Sequence, residues 1–187
     1  SRDRAMMYSG PKELADSFRT VRKNTLVIAE EIPDTWFNFR AVVEVRSVAE
    51  MLSHIAVSTS RNYEMHAVDR VTTFEGFDWR GFMETWAQKE QRLQTKAQIL
   101  DALRHTGEQW ATWLEGLSED YLYAHVRLSP QATPSSRSRC ELLLSVKEHE
   151  MHHRAQLMLI QRLLGMVPHL TREQEKMPET PVRPQTN

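Results

Sequence analysis

The stretch from Ser138 to Leu164 constrains this chain more than any other. Ser138-Arg139-Cys140-Glu141 has the S-x-x-E form of a capping box, in which Ser and Glu side chains satisfy backbone N–H groups left free at a helix start. Gly165 stands where a left-handed C-terminal cap is wanted, and Pro168 blocks continuation. Between these signals Leu142, Val146, His149, His153, Leu157, Ile160 and Leu164 recur at steps of three or four, the stripe a helix buries. Two histidines thus occupy positions that the pattern reserves for core residues. At i, i+4 they point the same way one turn apart, so a single ion can be held by both.

Phase separates the other polar residues of this turn. At about 100° per residue, His152 and Glu150 each fall some 80° from the centre of the stripe. They are read as flank residues, with Glu150 expected to tune a ligand or stay solvated. Gln156 falls on the stripe one turn past His153 and is a candidate partner for a ligand. A hydrogen-bonded core pair would satisfy the same pattern, and periodicity alone leaves that alternative open.

The rest of the chain bounds the answer. Its 187 residues are 40 % hydrophobic, enough to bury one core. A net charge of −1 supplies no basic field for gripping nucleic acid. No apolar run approaches the length of a membrane span. A single cysteine, Cys140, excludes an internal disulfide; with no recognisable leader, a cytoplasmic setting is expected.

Taken in order, Gly10-Pro11-Lys12-Glu13 opens a first helix that Pro33 ends. Ser47-Val48-Ala49-Glu50 is another capping box, and the helix after it carries His54 at the edge of its buried face. Tyr63 and His66 lie further along, where they too can approach a central cavity. Thr85-Trp86-Ala87-Gln88 offers a third box, from which one long helix is expected to run to Leu114, with Gly107 marking a kink or a close helix contact. A short turn is expected at Glu119 to Leu122, and no β-pattern is visible. The proline-bearing segment 171–187 reads as a flexible tail and residues 1–9 as an N-terminal extension, leaving 10–170 as one domain. Four long amphipathic segments with long connecting loops make an all-α helical bundle the expected fold.

Ser47-Val48-Ala49-Glu50-Met51-Leu52-Ser53-His54-Ile55-Ala56, followed by Glu148-His149-Glu150-Met151-His152-His153-Arg154-Ala155-Gln156-Leu157, resembles the DinB family of helical metalloproteins. The resemblance covers roughly residues 10 to 170. It implies a four-helix bundle in an up-down-down-up arrangement, commonly a homodimer. It further implies a divalent ion held by His54 from the second helix and by His149 and His153 from the fourth.

Three imidazoles leave at least one coordination position open, the arrangement of a catalytic site. All-nitrogen ligation suits zinc or nickel, with iron a third candidate. The function expected is a metal-dependent hydrolase or a transferase using a low-molecular-weight thiol, acting on a small-molecule substrate, with no catalytic base assignable. The alternative is a non-enzymatic stress-response or interaction protein in which the metal is structural. The clustered Trp79, Trp86, Trp110 and Trp113 exceed what one inward stripe needs and suggest a two-fold interface.

Overall fold

A computed structural model describes residues 10–178. Four long helices carry the structure: α1 (Pro11–Glu31), α2 (Val48–Tyr63), α4 (Lys96–Glu115) and α6 (Arg139–Leu163). A shorter α3 (Trp79–Glu90) precedes α4. The one-turn α5 (Glu119–Tyr123) leads into a hairpin of β1 (His125–Arg127) and β2 (Ser136–Ser138), and α7 (His169–Glu175) closes the described chain. Helix α1 packs on α4 and α6, and α2 packs on α4, α6 and α3. Among the described residues no helix is long and apolar enough to cross a membrane.

The punctuation seen in the sequence explains most boundaries. Ser47 accepts from Glu50 N at 3.2 Å while Glu50 accepts from Ser47 N at 2.9 Å, a complete capping box at the start of α2. At α6 only half of the box forms. Ser138 Oγ accepts from Glu141 N, but the Glu141 carboxylate turns to Arg137 instead. Gly165 has φ of 79°, and Met166 N donates to Gln161 O at 2.8 Å, the six-to-one bond that closes a helix end on a left-handed residue.

Three expectations are corrected. The segment after Thr85 is two helices: Thr85 lies inside α3, its hydroxyl bonded to Gly81 O at 2.9 Å, and so caps nothing. The working box is Thr95 with Gln98, ten residues later, which starts α4 after a break at residues 91–94. The hairpin escapes a pattern search because its strands are three residues long and place only Val126 in the core. The segment from Thr171, expected to be flexible, is helical as far as Glu175, and Arg172 bridges back to Glu31 on α1. The rest of that segment from residue 179, like residues 1–9, lies outside the described residues.

Two apolar clusters fill the space between the long helices. One gathers Ile28, Leu52, Ile55, Ile99, Leu103, Leu157 and Ile160. The other gathers Phe18, Trp110, Leu114, Leu122, Leu143 and Val146. A polar layer separates them on every long helix. Glu150 of α6 accepts from Arg22 of α1 through both carboxylate oxygens at 2.9 Å, and from Thr25 Oγ1 at 2.8 Å. Arg22 also donates to Thr59 on α2 and to Leu103 O and Thr106 on α4. Glu150 is therefore neither solvated nor a ligand neighbour. It is 1 % exposed and joins all four long helices through one guanidinium. Gly107 belongs to the same layer: a Cβ there would meet Arg22 Cγ and Nη1 at 2.8 Å, which accounts for a glycine inside α4.

Candidate metal centre

Helix α2 is the most enclosed of the long helices, with every residue from Met51 to Thr59 buried. From its middle His54 faces α6, where His149 and His153 stand one turn apart. Their Nε2 atoms draw together: His54 to His149 is 3.1 Å and His149 to His153 is 3.2 Å. His54 and His153 are each 7 % exposed, and His149 is half-buried. The three ligand atoms lie within 4.8 Å of one another, and the group can hold a metal ion.

The outer nitrogens decide which tautomers are present. His54 Nδ1 donates to Glu90 Oε1 at 2.7 Å, and His153 Nδ1 donates to Gln156 Oε1 at 2.8 Å. With protons placed there, both Nε2 atoms carry bare lone pairs aimed at His149 Nε2. His149 can donate to one of them but not to both, so the imidazoles cannot satisfy each other. An ion at about 2.0–2.1 Å from each nitrogen resolves this, and a tetrahedral arrangement then sets the nitrogens roughly 3.3 Å apart. The observed separations are close to that spacing.

Electrostatics favour the neutral, ligating form. Burial pushes the His149 imidazole down to about 3, helped by the neighbouring His153, His54, Arg61 and His152. Burial also pushes His153 down, against the hydrogen bond it donates to Gln156, with Arg46 among the groups that add to the depression. Arg61 lies i+7 from His54 on α2, half-buried, donating to Met83 Sδ at 3.5 Å.

Gln156 does touch His153, as its place on the stripe suggested. Glu90 was not foreseen, because it ends a helix that the sequence pattern merges into α4. His152 is exposed and stays out of the convergent group, though its ring is 4.9 Å from that of His153. Tyr63 packs edge-on against Trp113, and His66 accepts from Arg139 at 2.9 Å, so neither reaches the centre. A cleft of about 800 Å³ opens beside His153 and Gln156, and another of about 550 Å³ beside Glu90 and Ser53.

Of the four tryptophans taken for an interface, Trp110 is fully buried and Trp86 is 6 % exposed. Trp113 packs on Tyr63 and Tyr121. Only Trp79 is well exposed, and it leans on Phe74, Phe77 and Phe82. Packing within the chain thus absorbs most of this aromatic surface.

The family model described as DinB superfamily matches residues 17–157, a span that contains all three histidines and both of their hydrogen-bond partners. The chain belongs to the DinB superfamily. A search of curated proteins finds no match. Among solved structures, this DinB chain is similar to an uncharacterized protein from Clostridium difficile 630, with a TM-score of 0.62 and 13 % identity over 83 % of this chain and 98 % of that one. At that identity the likeness speaks for the fold alone.

Proposed function

We propose that this DinB protein is a metal-dependent enzyme whose divalent ion is held by His54, His149 and His153. The observation that carries the reading is the convergence of three Nε2 atoms, two of which, on His54 and His153, have their ring protons committed elsewhere, to Glu90 and Gln156. The donor set suits zinc or nickel, and iron is compatible with it. When bound there, the ion supplies Lewis acidity on the side left open by three protein ligands.

The protein's own residues do the rest. Glu90 holds the His54 ring in orientation and raises its donor strength, and Gln156 does the same for His153. The polar layer through Arg22 and Glu150 fixes α6 against α1, α2 and α4, so the i, i+4 pair meets His54 in register. We place the four long helices in an up-down-down-up bundle. The pairs Lys147–Ser17 and Glu150–Thr25 support α1 and α6 running in the same sense, and the pairs Arg22–Leu103 and Phe18–Trp110 support α4 running against α1.

The open cleft at His153 favours an enzyme over a protein in which the ion merely ties helices together, since a structural ion needs no entry path. The reaction we infer is hydrolysis of a small molecule or transfer of a low-molecular-weight thiol to one. Metal-loaded protein assayed against a panel of small electrophiles, with water alone and with added thiols, separates the two. Turnover that needs the metal supports the reading, and turnover unchanged by chelation contradicts it. We take the working assembly to be a homodimer, for which light scattering would give twice the 21.9 kDa of the chain.

A further inference from the structure

The cleft of about 800 Å³ beside His153 falls within the range of small-molecule pockets, about 300–1,000 Å³. Its walls are of two kinds. One side is aliphatic, from Val43 and Val45 in the loop before α2 and from Leu159, Ile160 and Leu163 on α6. Val43, Leu159 and Leu163 are 85 %, 59 % and 59 % exposed, so this apolar surface faces open space, with no covering segment among the described residues.

The other side is charged, and its charges are not equivalent. Arg40 is paired with Glu50, whose remaining acceptor capacity goes to Ser47 N. Glu44 lies on the wall, exposed. Arg46 lines both this cleft and the neighbouring one beside Glu90, and among the described residues no carboxylate comes within ion-pair distance of it. It shares the cleft with His153. Arg46 is thus a guanidinium on the cleft wall with no carboxylate of the described residues at ion-pair distance; its charge is felt by Glu50, but that carboxylate is already held by Arg40 and Ser47 N.

We propose that the cleft takes a small organic anion with an apolar body, the body lying on Val43, Leu159 and Leu163 and the anionic group held by Arg46 beside His153. A planar guanidinium matches a carboxylate through two parallel N–H···O bonds, whereas an alcohol of the same shape can accept one neutral bond at most and an ammonium none from it. This names the substrate class for the reaction centre proposed above and rests on that reading for what happens to the bound molecule, but the binding itself does not need the metal.

The test uses the full chain, stripped of metal with EDTA, and three probes of common shape: 4-phenylbutyrate, 4-phenylbutanol and 4-phenylbutylamine. Titration followed by NMR is expected to show saturable binding with the carboxylate about tenfold tighter than the alcohol, and the amine weakest, as one charge-assisted contact allows. Arg46→Gln, an exposed substitution, should remove that tenfold advantage and leave the alcohol within about twofold of its original affinity. Leu159→Ser should weaken carboxylate and alcohol alike. No saturable binding, equal binding of acid and amine, or an acid-to-alcohol ratio unchanged by Arg46→Gln would each overturn the proposal. Because these readouts are taken without metal, their failure leaves the three-histidine centre standing. Loss of metal affinity in the histidine variants would be a separate result.

Discussion

His54 donates its Nδ1 proton to Glu90 across 2.7 Å, so the last residue of α3 fixes the tautomer of a residue in the middle of α2. The contact makes Glu90 a positioning residue for the proposed metal centre. Glu90→Ala should lower metal affinity by about 10–100-fold without unfolding the protein, and Glu90→Gln, which can still accept the Nδ1 proton, should recover much of it. Competition with a chromophoric chelator measures both. Identical losses for the two variants would show that charge, not the hydrogen bond, is what matters.

Arg22 and Glu150 are 4 % and 2 % exposed at their side chains and satisfy each other in the polar layer. Removing one partner leaves a buried charge uncompensated, so Arg22→Met or Glu150→Leu alone should cost about 3–5 kcal/mol in denaturant unfolding. The double variant should recover a large part of that loss. Additive losses would mean that the pair is not coupled.

Gly107→Ala tests the same layer from the other side. Helix propensity alone predicts a gain of about 1 kcal/mol. The new Cβ would press on Arg22 Cγ at 2.8 Å, an atom held by the bonds that Arg22 makes at its far end, and overpacking of this kind typically costs about 1–3 kcal/mol. The expected result is a net fall in the unfolding midpoint; a rise would show that Arg22 yields freely.

How much of this was legible in the sequence depends on whether a residue's partner is near it in the chain. His149 and His153 declare themselves because both members of the pair lie on one helix. His54 became a candidate ligand only through the family resemblance, since its own helix says merely that it lies at the edge of a buried face. Glu90 was hidden by two T-x-x-Q patterns ten residues apart, of which only the second caps a helix. Glu150 was placed by phase on the flank, and the buried stripe of α6 turned out to include it and Leu143 because an arginine on α1, 128 residues away in the chain, with space made by Gly107, compensates its charge. No local pattern carries that information.

Acid should destabilise the metal-free protein. His66 is buried, accepts from Arg139, and is pushed down to about 3 by burial and by that guanidinium. In the unfolded chain its pKa is about 6.5. Between those values the unfolded chain binds a proton that the folded one refuses, so the stabilisation is complete above about pH 6.5 and drains away as pH falls towards 3. Urea midpoints in EDTA should therefore drop from pH 7 to pH 4.5, and His66→Gln should flatten part of that slope. The depressed His149 and His153 account for a remaining share. An unchanged slope in His66→Gln would remove it from the account.

The central claim is that His54, His149 and His153 hold one ion together and that His152 does not. Zinc titration of the wild-type chain and the four single alanine variants, against a competing chelator, tests it most directly. The account predicts one ion per chain in the wild type, losses of at least about 100-fold for each of His54→Ala, His149→Ala and His153→Ala, and near wild-type affinity for His152→Ala. Full affinity in His54→Ala, or a loss in His152→Ala equal to that in His153→Ala, would contradict it.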